Sequence, residues 1–210
     1  MPRKNADHVD LKDACVEAAQ AVIAEHGIEK LSLRDVARRL NVSHQAPYRH
    51  YASRDHLLSE VIRRSFRRFA VALDSRKRSE VPMEDMRALG HAYLNYALAH
   101  PLEYRLMFGT PWPAVEAHAE LVLDSRLSFA VLRDALAPLY GGLRANRKRI
   151  ESDALFVWAA MHGLATILQS QAMDHLDLQA SVLKGAVEHV MGMVDVALQQ
   201  SAKDATTQKE

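Results

Sequence analysis

Helical periodicity runs through this chain from end to end, and nothing constrains its fold more. Leu11, Cys15, Ala18 and Val22 recur at i, i+4, i+7 and i+11, one stripe of an α-helix. The same spacing returns in Leu33, Val36, Ala37 and Leu40. It returns again in Leu58, Val61, Ile62, Phe66, Phe69, Ala70 and Leu73. No segment alternates apolar and polar residues as a half-buried strand does, and no internal repeat is present. The expected class is all-α. With 210 residues, 49% of them hydrophobic, the chain can bury a sizeable core.

Breakers and caps divide the pattern into three small helices followed by six more, about nine in all. Gly27 reads as a left-handed cap ending the first helix. Ser32 opens a Ser-x-x-Asp capping pattern, and "LNVS" is a turn. Ser43 then caps a third short helix through about His50, and Ser53 a long fourth one. Pro82 breaks the chain, a helix follows from about 83 to 99, and His100-Pro101 ends it. "PLEYRLMFG" reads as a short helix and "GTPWP" as a loop. Further helices are expected over about 114–139, 146–173 and 178–199, and the polar tail 201–210 is expected to be disordered.

Composition narrows the function. Cys15 is the one cysteine, which excludes an intrachain disulfide framework and fits a reducing compartment. No apolar run has the length of a membrane span, and the first residues lack a secretory apolar region, so the expectation is a soluble cytoplasmic protein. Residues 1–78 hold sixteen Lys and Arg against ten Asp and Glu, a net of +6, and the remainder is −5. A basic first third suits a polyanionic partner, although solvated helix faces could give the same asymmetry. An all-α enzyme finds no support. There are no paired helical histidines, no phosphate-cradling glycine loop and no Ser/His/Asp pattern. His44, His50 and His56 are spaced by six, which is not one helix face, so neither a metal nor a cofactor is expected.

Two short helices joined by a four-residue turn in a basic segment describe a helix-turn-helix. "LRDVARRL" is then the positioning helix and "SHQAPYRHY" the recognition segment. Beyond Ser43, His44 and Gln45 face bases, and glutamine can bond adenine bidentately in the major groove. Tyr48, Arg49, His50 and Tyr51 offer donors suited to phosphate oxygens, while Tyr51 also reads as partly buried. Val42 and Ala46 are small enough to tuck against the positioning helix. Pro47, as the fourth helical residue, forfeits a backbone bond and crowds the Ser43 carbonyl.

Residues 11–60 resemble the DNA-binding domain of the tetracycline-repressor (TetR) family. The resemblance rests on Gly27, Ser32, "VARRL", "NVS", "YRHY" and "SRDHLL". Asn41 stands where the family has glycine, and Arg54 where it has lysine. The DNA-contacting set that follows is Ser32, Arg34, Ser43, His44, Gln45, Ala46, Tyr48, Arg49, His50 and Arg54. The expected domains are a helix-turn-helix domain over 1–55, a ligand-binding and dimerisation domain over 56–200, and the tail.

"FVWAAMHGLATI" resembles the Trp-x-x-x-His-Gly signature of one carboxy-terminal subgroup, through Trp158, His162 and Gly163. Two readings of that face stand side by side. In one, Trp158 and Met161 are core and His162 a satisfied buried histidine. In the other, they line an apolar pocket with Met107, Phe108, Trp112 and Phe129, and His162 is its lone polar handle. Gly163 would then allow close approach of another helix. The resemblance further implies a homodimer joined through the last two helices. Leu164, Leu168, Val182, Ala186, Val190, Met193, Val194 and Ala197 are the candidate interface. The expected function is a repressor that binds a pseudo-palindromic DNA operator and is released by a small apolar or aromatic effector. Control by a protein partner is the alternative.

Overall fold

A computed structural model of the chain describes residues 11–144, 146–171, 175 and 177–207. The expectations for residues 1–10, for the end of the helix read to 173, and for 208–210 lie outside the described residues. Among the described residues there are eight α-helices: α1 (Leu11–His26), α2 (Leu33–Arg39), α3 (Arg54–Asp74), α4 (Pro82–Ala99), α5 (Pro101–Phe108), α6 (Ala119–Leu136), α7 (Arg147–Leu168) and α8 (Ala180–Thr207). Short 3-10 turns lie between some of them, and there is no strand among the described residues.

The chain divides into two compact units. One takes the chain up to Phe66 together with Arg105–Ser125, and the other takes Arg67–Tyr104 and the chain from Arg126. In the first unit α1 packs on α2 and on the 3-10 turn Pro47–Arg49. Most of the two predicted stripes is buried: Cys15, Val22, Val36 and Ala37 are at most 4% exposed, while Leu11 and Leu40 are half-buried. Phe66 of α3 is clasped by Phe108 and Trp112 at 5.6 and 5.4 Å, both edge-on. Arg63 ties α3 to Asp124 (3.0 Å), Glu120 (2.5 Å) and Glu60 (2.8 Å).

In the second unit α4 packs on α7 and α8, which pack on each other. Pro82 starts α4 at a position where a missing N–H costs nothing. The connection before it is closed by a buried fork. Arg76 donates to both Asp85 oxygens, at 3.0 and 2.6 Å, and to the Leu73 carbonyl.

Two local expectations are corrected. Gly27 does need a positive φ (83°), but its ψ of 162° is extended, so it opens a 3-10 turn (Ile28–Lys30) instead of a left-handed cap. The polar tail is helical through Thr207. Ser201 donates to Asp153 (2.5 Å), Arg149 reaches Ser201 and Asp204, and Ala205 is buried, so tertiary contacts order a sequence without apolar periodicity.

Candidate nucleic-acid interface

The positioning helix forms as its sequence dictates. The Ser32 hydroxyl accepts the Asp35 N–H (3.1 Å) and donates to the Asp35 carboxylate (2.5 Å), capping α2. That bond, then Arg38, holds the Asp35 carboxyl below its usual range. The hydroxyl predicted to meet DNA is therefore committed to the cap. At the turn, Asn41 adopts φ 54°, the left-handed conformation that asparagine tolerates. The Val42 N–H returns to Ala37 O.

The recognition segment is not the α-helix expected from Ser43. It is a run of turns ending in the 3-10 turn Pro47–Arg49, with Ala46 at its cap position and no side-chain cap bond. Proline is the physical reason. Pro47 has no N–H for the Ser43 carbonyl and crowds it, so an α-helix begun at Ser43 does not propagate. The ladder instead runs i to i−3: Ala46 to Ser43, Arg49 to Ala46, His50 to Pro47. Buried Pro47 anchors the segment and leaves its neighbours outward.

Four predicted contacts converge there. Arg34, His44, Gln45 and Tyr48 line one open depression of about 480 Å³. Arg49, His50 and Ser43 are exposed, and Ala46 is half-buried. Among the described residues, no hydrogen bond or ion pair holds Arg34 or Arg49. Their neighbours are engaged: Arg38 with Asp35, and Arg39 in a two-pronged bond to Glu25 at 2.8 and 2.6 Å. These two guanidinium groups, beside hydroxyl, amide and imidazole donors, are chemically suited to phosphate oxygens and base edges.

Two predicted donors are used inside the protein. Arg54 gives its Nε–H to Leu31 O and an Nη–H to Ile28 O, so it braces the α1–α2 connection. Tyr51 is 4% exposed and its hydroxyl donates to Lys12 O at 3.1 Å. Burial keeps that hydroxyl protonated far above the ordinary tyrosine range.

The residues proposed for an effector pocket fall into two aromatic clusters. In the first unit Met107 is buried, and Phe108 and Trp112 pack on Phe66; the Trp112 indole donates to Met107 O. In the second unit Trp158 meets Phe129 (6.0 Å) and His162 (6.1 Å), and Met161 is buried. His162 is not a lone polar group. Its Nδ1 lies 2.6 Å from the Tyr104 hydroxyl and 3.3 Å from that of Tyr93, and the two hydroxyls are 2.9 Å apart. Burial lowers the His162 pKa, which favours the neutral imidazole beside the two hydroxyls. Burial also pushes the Tyr104 hydroxyl up to about 12. Tyr93 and Tyr104 come from different helices, so no spacing in the sequence could have joined them.

The candidate interface stripe also divides. Leu164 and Val194 are buried against their own chain, and Leu168, Ala186, Val190 and Ala197 are half-buried. Val182 and Met193 are exposed, with Leu155, Phe156, Ile167 and Val196 beside them in α7 and α8. Among the described residues the close approach expected at Gly163 is not made, since a Cβ there would meet nothing within 4 Å.

A capped positioning helix, a tight turn and a donor-rich recognition segment define a helix-turn-helix DNA-binding protein. Comparison with known proteins agrees. Residues 16–61 match the family "Bacterial regulatory proteins, tetR family", and residues 86–193, half of the chain, match "Tetracyclin repressor-like, C-terminal domain". The chain belongs to the tetracycline-repressor family of transcriptional regulators. An HTH-type transcriptional regulator of Mycobacterium tuberculosis is 30% identical over 105 residues, which are 49% of this chain and 45% of that protein. The chain thus spans about half the length of the curated relatives it matches. Two solved structures share the fold. A Rhodococcus protein of unknown function has a TM-score of 0.69 at 24% identity, covering 94% of this chain and 98% of that one. The fatty acid degradation regulator FadR of Bacillus halodurans has a TM-score of 0.64 at 14% identity, covering 90% and 96%. No described helix is long and apolar enough to cross a membrane.

Proposed function

We propose that the chain is a cytoplasmic, homodimeric repressor that binds a pseudo-palindromic operator and is released by a small apolar or aromatic effector. The observation that carries this reading is the depression lined by Arg34, His44, Gln45 and Tyr48, with Arg34 and Arg49 holding no hydrogen bond or ion pair among the described residues. Gln45 and His44 read bases from it, and Arg34, Tyr48 and Arg49 hold phosphates.

Self-association is supported by α7 and α8. Leu155, Phe156, Ile167, Val182, Met193 and Val196 are each 45% exposed or more. Gly163, Gly185 and Gly192 interrupt these helices with open space above each, at about 1 kcal/mol apiece relative to alanine. A second copy laid along that face would bury the apolar groups and use the room above the glycines. A two-fold dimer then matches two half-sites on one face of the DNA.

The effector's place is beside Phe129, Trp158 and His162, all half-buried in the second unit. The Trp158-x-x-x-His162-Gly163 run supports placing the chain in the Trp-His-Gly subgroup. Effector affinity must differ between the operator-bound and free states for release to follow. The experiment is operator binding by the wild type and by the Arg34→Ala and Arg49→Ala variants. Weakened binding by folded variants supports the reading, and wild-type binding by both overturns it.

A further inference from the structure

His56 and His118 meet at a place that the DNA-facing surface does not use. His56 lies in the first turn of α3. His118 precedes α6, and its carbonyl accepts the Leu121 N–H at 2.9 Å. The two rings are edge-to-face, with centroids 4.9 Å apart and planes at 80°. Both belong to the first unit, one beside the helix-turn-helix and one on the Arg105–Ser125 stretch that docks there. The same stretch is held by Phe66 between Phe108 and Trp112 and by Arg63 on Glu120 and Asp124.

We propose that the His56–His118 pair is an acid-sensitive latch. It holds Arg105–Ser125 on α3 while both rings are neutral and weakens that docking when they take up protons.

Two imidazolium groups at this separation repel. Each ring also sits at a helix N-terminus, where partial positive charge disfavours a cation. The groups around the pair leave little to offset that. The Ser53 hydroxyl, 3.0 Å from His56 Nδ1, is neutral and also accepts the His56 backbone N–H, so it brings no negative charge to the pair. Asp55 is the acid that favours a proton on His118, and it is shared with Arg54 at 3.1 Å. Glu60, Glu120 and Asp124 are held by Arg63, and Glu60 also by Arg64. Glu116, on the turn before His118, is exposed. Burial and then His56 lower the His118 pKa below the ordinary histidine range. A depressed histidine favours the latched state fully above about pH 6.5, and that contribution falls away as the pH drops.

The test uses the Trp112 indole N–H, which bonds Met107 O within the same stretch at 3.0 Å. In the full-length ¹⁵N-labelled protein, the Trp112 signal, assigned with Trp112→Phe, is followed from pH 8 to pH 5. The expected result is a titration with a midpoint below 6.5. Indole solvent exchange, corrected for its intrinsic pH dependence, should become about tenfold faster at the acid end. His118→Gln and His56→Gln should each flatten the response, and His56, being exposed, serves if the His118 variant does not fold. The recognition-segment variants His44→Gln and His50→Gln should leave it intact. A Trp112 signal that stays fixed across the range overturns the latch, as does one that titrates unchanged in His56→Gln. Neither effector nor DNA is needed, so the outcome is independent of the proposed function.

Discussion

The two tyrosines of "YRHY" should behave oppositely when each loses its hydroxyl. Tyr51 is 4% exposed and bonds Lys12 O at 3.1 Å, whereas Tyr48 is 46% exposed in the wall of the depression. Tyr51→Phe removes one neutral internal hydrogen bond, costing about 0.5–1.5 kcal/mol of stability. At about 2–4 °C per kcal/mol for a chain of this size, the Tm should fall by about 1–6 °C. Operator affinity should not change once the protein is folded. Tyr48→Phe should leave the Tm within about 1 °C, because an exposed substitution away from any packed feature costs little. It should weaken operator binding by about tenfold per half-site if, as proposed, the lost bond goes to a charged phosphate. Neither change should alter the salt dependence, as neither removes a charge. Thermal unfolding by circular dichroism and fluorescence anisotropy on labelled operator give both quantities. If Tyr51→Phe weakened DNA binding more than Tyr48→Phe, the division between bracing and contacting hydroxyls would be refuted.

Asp85→Ala should cost about 3–5 kcal/mol in urea unfolding, because it strands the Arg76 guanidinium, whose side chain is 3% exposed; a loss under about 1 kcal/mol would mean the fork is not buried in solution. Val196→Glu, at a position 62% exposed, should turn a dimer burying at least about 1,200 Å² into a monomer with unchanged helical content, as read by sedimentation. A wild type that sediments as a monomer at micromolar concentration refutes the dimer.

The sequence was most informative where structure is local. Ser32 and Ser53 cap their helices as their positions imply, with bonds to the Asp35 and His56 N–H groups. Asn41 takes the left-handed turn. The recognition segment was misjudged although its cause, Pro47, was in view; one proline at the fourth position converts an α-helix into 3-10 geometry. Long-range contacts were not legible. Asp153 and Arg149 order the helix beyond Gln200, and Tyr93 and Tyr104 enclose His162, although each partner is distant in sequence. An apolar stripe also does not say which chain it faces. Leu164 and Val194 turn to their own core, while Val196, two residues from Val194, faces outward.

The central claim is that Arg34 and Arg49, which hold no partner among the described residues, contact DNA phosphates, and the salt dependence of operator affinity tests it most directly. Each phosphate contact contributes about 0.9 to the slope of log affinity against log salt. Arg49→Ala, and separately Arg34→Ala, should reduce that slope by about 1.8 per dimer and weaken operator and random DNA alike. Arg39→Ala, which removes a guanidinium already bound to Glu25, should leave the slope near the wild-type value. Unchanged slopes in both Arg34→Ala and Arg49→Ala would contradict the account.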